Sequence, residues 1–236
     1  MDSVIFQAMT VEVNRKFSGS RLDKIVQVSA GTLVFKLWTG RKKVQLLFKA
    51  DGRGVFHQTG EAYPAPARPP RFCQLLRARL RRLINVQAEP LDRVVHLHFT
   101  GPDKEPYDLV FEAFGARGNL ILVDAAGRIV DLLFREEGKR KLMPGERYRL
   151  PEQKERLSLL GDGREIVHVL QAAEEQGGLE GVEIAPMSPA LAHEITRARQ
   201  AGQSFSAILT RIRDIFHAGC FSPMRVTWNG QSGFLP

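Results

Sequence analysis

A chain of 236 residues, 43% hydrophobic and 25% charged, has the composition of a folded protein with one sizeable core or two modest ones, which excludes wholesale disorder. No run approaches the roughly 18 to 20 apolar residues of a membrane-spanning helix. Met1-Asp2-Ser3-Val4 lacks a secretory leader's basic start, and Cys73 and Cys220 are too few for a disulfide scaffold, so the expectation is a soluble cytoplasmic protein away from membranes. The net charge of +8 is uneven: residues 1–150 hold 26 basic and 16 acidic side chains, residues 151–236 hold 8 and 10. Such asymmetry points the first part toward a polyanion, most simply nucleic acid, against the alternative of a merely solubilising surface.

The opening segment, Ser3 to Phe17, reads as a helix with Ile5, Met9 and Val13 on one face and Gly19 closing it. From Lys24 the period becomes two: Ile25, Val26, Val28, then Leu33, Phe35, Leu37, then Val44, Leu46, Phe48. Turns at Ser29-Ala30-Gly31 and Thr39-Gly40-Arg41 make these a strand meander. The proline-rich connector 61–70 leads to a second helix, about Pro70 to Ile84, with Phe72, Leu76, Leu80 and Leu83 on its apolar side. Arg71, Arg77, Arg81 and Arg82 spread over the opposite half, within a stretch from Ala62 to Ala88 that has no acid. They either solvate the helix or meet phosphates through their planar forks.

More strands follow at Val95, Leu97, Phe99 and at Leu109, Phe111, Ala113. Leu120–Val123 and Ile129–Phe134 flank an Ala-Gly turn and read as a hairpin, and Lys139-Arg140-Lys141 reads as an exposed basic loop. After Pro151 the signals are helical: Arg164 to Gln176, Ser188-Pro189 opening a helix to Arg199, and Ser204 capping another. Met224 to Trp228 with Gly230 to Pro236 reads as one unpaired strand, the start of an element in a longer protein. The domains expected are 1–155, 156–220 and the beginning of a third at 221–236.

Templates for phosphate-cradling glycine loops, nucleophile elbows and paired carboxylates find no match. His96 and His98 share a strand face but have no third ligand at short spacing, so neither a metal nor another cofactor is expected. Cys73 reads as inert core.

Several ordered motifs nevertheless resemble a known family. Gly19-Ser20-Arg21-Leu22-Asp23-Lys24-Ile25, Pro69-Pro70-Arg71-Phe72-Cys73-Gln74-Leu75-Leu76-Arg77 and Leu91-Asp92-Arg93 are similar to motifs at the start of the NFACT proteins. So are Glu112-Ala113-Phe114-Gly115, Gly118-Asn119-Leu120-Ile121-Leu122, Tyr148 with Pro151, and Met187-Ser188-Pro189 through Ile195. These are ribosome quality-control factors, called RqcH in bacteria and NEMF in animals, with fibronectin- or fibrinogen-binding protein as an older name. The resemblance implies an α+β fold: an antiparallel β-sandwich flanked by helices, as in formamidopyrimidine-type DNA glycosylases, then a helix-hairpin-helix module. A coiled-coil arm and a second globular domain would follow in such proteins.

The glycosylases' N-terminal proline and glutamate have no counterpart in Met1-Asp2-Ser3, so base excision is not expected and the chain is read as a non-enzyme. The resemblance implies binding of tRNA and of the obstructed large ribosomal subunit carrying peptidyl-tRNA, in support of untemplated alanine tailing. It assigns tRNA contact to Asp92, Arg93 and Glu112. Two rivals are a DNA-lesion or abasic-site binder and a fibronectin-binding adhesin.

Overall fold

The computed structural model describes residues 3–52, 54–90, 92–114, 118–137, 140–152, 157–179, 182–219, 221, 224–228 and 231–235. Leu91, Gly115, Lys139, Cys220, Gly230 and the expected boundary at residue 155 lie outside them. The chain divides into two compact units, residues 9–152 and residues 2–8 with 153–236. The first helix, α1 (Ser3–Phe17), contributes its opening residues to the second unit and its remainder to the first. Its buried positions are Val4, Phe6, Thr10, Val13 and Phe17; of the predicted stripe Val13 is buried, whereas Ile5 and Met9 are half-buried.

In the first unit the strands are β1 (Arg21–Gln27), β2 (Thr32–Trp38), β3 (Lys43–Lys49), β4 (Val55–Thr59), β5 (Arg82–Ala88), β6 (Val94–Thr100), β7 (Pro106–Glu112), β8 (Asn119–Asp124) and β9 (Ile129–Leu132). They form one antiparallel sheet in the order β4-β3-β2-β1-β5-β6-β7-β8-β9. The period-two residues work as expected: Leu33, Phe35 and Leu37 are buried and lie opposite Phe48, Leu46 and Val44. Phe48 on β3 meets Phe111 on β7 at 5.5 Å between centroids, and Phe35 on β2 meets Phe99 on β6 at 6.2 Å. In a flat sheet β3 and β7 would stand about 24 Å apart at ~4.8 Å per strand, so the sheet doubles over on a phenylalanine core. The turn falls between β1 and β5, which share one residue pair, Arg21 and Arg82. Each fully buried phenylalanine contributes about 1.5–3 kcal/mol, and offset ring pairs add roughly 0.5–1.5 kcal/mol.

The second helix, α2 (Arg71–Arg79), is shorter than predicted. Leu80 is already extended, and the residues read as its last turn pair instead with β6 and β1. The apolar spacing of Leu76, Leu80 and Leu83 fits a helix locally, but ladder pairing overrides it. Two further motif positions have structural duties. A Cβ at Gly118 would lie 2.0 Å from the Ala50 carbonyl oxygen, so only glycine fits. Buried Asn119 donates to the Phe134 carbonyl at 2.7 Å and accepts from the Leu120 and Phe134 amides, tying β8 to the end of β9. The stretch read as an exposed basic loop is instead framed by a small ladder, β10 (Glu136–Glu137) with β11 (Lys141–Leu142).

The second unit contains β12 (Leu157–Ser158), α3 (Gly163–Glu175), β13 (Ile184–Ala185), α4 (Pro189–Gln200), α5 (Phe205–Ala218), β14 (Met224–Trp228) and β15 (Gln231–Leu235). Its core is mainly aliphatic, with Leu159, Ile166, Leu170, Leu191, Ile195 and Ile208 buried. Ser188 and Ser204 cap α4 and α5 as predicted, each accepting a backbone N–H bond at 3.2 Å, and Asp162 caps α3. Two readings need correction. Short β12 and β13 pair in parallel where only helices were expected, and the final segment is two strands paired with each other. No helix among the described residues is long and apolar enough to cross a membrane.

A candidate anion-binding cleft around Arg93 and Arg140

Strands β6 and β7 bring the two motif segments together. Val94 pairs with Glu112, and the Ala113 amide donates to the Arg93 carbonyl at 2.8 Å, so Arg93 and Phe114 emerge side by side from adjacent strand ends. The Arg93 guanidinium carbon sits 5.7 Å from the Phe114 ring centroid. That contact steadies a long side chain while leaving it charged. Asp92 turns inward to its own backbone, accepting the Arg93 amide at 2.6 Å while its amide donates to Glu89. Its carboxylate thus shapes the turn that presents Arg93.

Glu112 is not at the surface. Its side chain is 2% exposed, and Arg140 grips it with a two-pronged fork whose Nη1 lies 3.0 Å from Oε2 while Nη2 holds Oε1. The Tyr148 hydroxyl donates to Oε1 at 2.8 Å, and Arg140 Nε donates to the Arg149 carbonyl at 2.9 Å. Burial disfavours charge on Arg140, but hydrogen bonding and attraction from Glu112 more than offset it. Burial, reinforced by the Glu112 charge, pushes the Tyr148 hydroxyl far above the usual phenol range, so it remains a donor. Arg140 was expected in an exposed loop, and no local signal identifies its partner 28 positions earlier.

Behind Tyr148, His96 stands edge-on to its ring at 6.4 Å and stacks on His98 at 6.2 Å. His96 Nδ1 meets Asp108 at 2.6 Å; Glu89 lies at ion-pair distance from Nε2, 3.1 Å, without closing a hydrogen bond. Burial opposes the imidazolium, yet the bond and charge of Asp108, helped by Glu89, outweigh it and raise the pKa of His96.

Arg93, Glu112, Phe114 and Arg140 border a cleft of about 650 Å³. Once Arg140 is assigned to Glu112 and Lys141 to Glu146 (2.5 Å), Arg93, Arg147 and Arg149 remain against Glu136 and Glu152, beside the apolar Phe114 and Leu150. Cations next to an aromatic wall suit a ligand that is anionic and flat. The cleft does not include the arginines around α2. Arg71 pairs with buried Asp131 at 2.6 Å, Arg77 donates twice to the Ile25 carbonyl, and Arg81 donates to the Arg77 and Leu80 carbonyls. Arg82, now on β5, donates to the Gly19 carbonyl at 2.6 Å.

The family described as NFACT N-terminal and middle domains matches residues 2–228. Over 171 residues the chain is 30% identical to the Rqc2 homolog RqcH of Bacillus subtilis, covering 67% of this chain and 30% of that protein. Over 92 residues it is 39% identical to the archaeal Rqc2 homolog aRqcH of Methanocaldococcus jannaschii, covering 38% of this chain and 13% of that one. The chain therefore spans about a third or less of these relatives. Among solved structures, the N-terminal part of the fibronectin/fibrinogen-binding protein of Streptococcus suis superposes with a TM-score of 0.78 at 20% identity, covering 100% of this chain and 89% of the other. The N-terminal domain of the fibronectin-binding protein PavA of Streptococcus pneumoniae gives 0.72 at 21%, covering 96% and 92%. At such identity the likeness establishes a shared fold.

Proposed function

The chain belongs to the NFACT family, and we propose on that premise that it is an RNA-binding adaptor of ribosome-associated quality control. It binds tRNA on an obstructed large ribosomal subunit carrying peptidyl-tRNA and thereby supports untemplated alanine tailing of the stalled chain, acting without bond chemistry of its own. Relatives named RqcH support the quality-control assignment. The glycosylase-type sandwich and the helix-hairpin-helix module belong to the same reading, supported by the doubled sheet and by α4 and α5 joined across residues 201–204.

The observation that carries the tRNA assignment is the guanidinium of Arg93, held over Phe114 in the lining of the cleft. A planar cation there stacks on an unpaired base or forks onto a phosphate. Asp92 sets the turn, and Glu112 acts from beneath by fixing Arg140.

Replacing Asp92 and Arg93 together by alanine is expected to preserve the melting temperature and abolish tRNA co-purification; retained tRNA would remove both residues from the site. A competition between tRNA and duplex DNA bearing an abasic site is expected to favour tRNA. Preference for the duplex would overturn the assignment.

A further inference from the structure

From Lys24 to Ala50 the chain carries no acid but six cations: Lys24, Lys36, Arg41, Lys42, Lys43 and Lys49. The sheet register aligns several of them. Lys43, Trp38, Arg21 and Arg82 lie directly opposite one another across β3, β2, β1 and β5, and Lys24 lies opposite Lys36 in the next row on the same face. Strand alternation turns this face away from the phenylalanine core, because the intervening Leu37 and Val44 are buried on the other side. Arg21, Lys24, Lys43 and Arg82 are exposed, while Lys36 and the Trp38 indole are half-exposed. Further along the same face, Tyr63 from the proline-rich connector covers Val26, Val34 and Leu47, and Gln45, opposite Lys36, donates to the connector's Glu61 carbonyl at 3.3 Å.

Two of the facing pairs are of like charge. Arg21 and Arg82 are flanked by the hydrogen bonds from Leu22 N to Arg81 O and from Leu83 N to Ser20 O, which makes them the non-hydrogen-bonded type of antiparallel pair, in which side chains stand closest. Like charges at such positions, and at Lys24 and Lys36, disfavour the fold. Arg21 has partial relief from Asp23 at 3.0 Å, and Arg82 has the neutral Gly19 carbonyl. A polyanion laid across the strands would offset both repulsions. With strands about 4.8 Å apart, the row from Lys43 to Arg82 runs roughly 14 Å along the outer surface of the sheet as it turns between β1 and β5, long enough for successive phosphates. The tryptophan among the cations offers a π-face of the kind that successive bases use in single-stranded complexes.

We infer that this face of β1, β2, β3 and β5 is a second nucleic-acid surface, which takes the backbone of single-stranded RNA across the Lys43–Trp38–Arg21–Arg82 row. It is separate from the Arg93 cleft, and it rests on the RNA-binding reading only for the choice of polyanion.

The chain's two tryptophans allow a direct test. In a Trp228→Phe background, Trp38 is the sole indole, and titration with an oligouridylate at low salt is expected to quench it saturably. Lys43→Glu with Arg82→Glu should weaken binding at least tenfold; Asp92→Ala with Arg93→Ala should leave it unchanged. For single strands each lost phosphate contact removes about 0.7 from the slope of log affinity against log salt, so this pair should flatten it by about 1.4. Arg82→Gln, which relieves the opposed guanidiniums, should keep or raise the melting temperature while weakening binding.

Absence of quenching would overturn the inference, as would loss of binding in the Asp92 and Arg93 variant. So would equal quenching by phosphatidylserine vesicles, which would make the face a lipid-binding one. A lowered melting temperature for Arg82→Gln would assign Arg82 to bracing Gly19 instead. Because the cleft variant is silent here, either surface can fail without the other.

Discussion

Residues 9–152 and the helical unit built on residues 153–236 bury apolar surface by different means. The first unit stacks phenylalanines from strands distant in the sheet order and spends polar groups internally: Glu112, Asn119 and Asp131 are all buried, and each is engaged by a partner. The second unit packs leucines and isoleucines between three helices, and its polar side chains chiefly cap helix ends or pair at the surface, as Arg199 does with Glu174. Ionic groups inside the first unit are therefore the expensive ones to disturb, whereas those of the second act locally. A buried carboxylate that loses its guanidinium, or the reverse, leaves an uncompensated charge in a poorly polarisable interior.

That contrast can be broken at Glu112. Glu112→Ala strands the half-buried Arg140 charge and the Tyr148 hydroxyl and should cost about 3 kcal/mol in denaturant unfolding, with amide-exchange protection lost across β6 to β8. A cost under about 1 kcal/mol would put the fork in the class of surface ion pairs. A smaller effect is expected in the second unit. Ser204→Ala removes the bond to the Ala207 amide and should cost about 1 kcal/mol, with faster exchange confined to the first turn of α5. Loss of protection across α3 as well would show that caps there are not local.

The smallest effect concerns His96, and its sign follows from its raised pKa. A group whose folded pKa lies above its unfolded value adds stability below the unfolded pKa, about 6.5 for histidine, and loses it as pH rises through the folded value. The stability difference between the protein and His96→Gln should therefore be largest below about pH 6.5 and shrink as the pH rises through the raised folded value. A difference that grows with pH would mean that the neutral ring is the form the fold prefers.

Much of the architecture was legible because local pattern and final packing agree. The alternation of Leu33, Phe35 and Leu37 has one solution once Val44, Leu46 and Phe48 face them, and Ser188-Pro189 opens α4 by the same chemistry in any context. Where pattern and packing compete, the sequence misleads. Leu80 continues a four-residue spacing begun at Phe72 and Leu76, so the helix ends without warning where strand pairing takes over. The closing hairpin did carry a signal: Asn229-Gly230, a dipeptide favoured in two-residue hairpin turns, stands between β14 and β15. Of the candidate site, the Arg93 and Glu112 segments could be found from motifs, but the pairing that buries Glu112 could not. Arg140 lies among basic residues that read as solvent-facing, and nothing short of the folded sheet brings it to β7.

The narrow join between β1 and β5 also bears on how the chain reaches its fold. On either side of it, each strand is hydrogen-bonded to the next one in sequence, β1 through β4 and β5 through β9. These ladders close over brief connections at little entropic cost. Among the strand pairings of this sheet, only that of Arg21 with Arg82 joins segments some sixty residues apart, and it does so with one residue pair. The doubled sheet is thus two leaves on a slender spine, with strand registers written separately into each leaf and closure left to the phenylalanines between them.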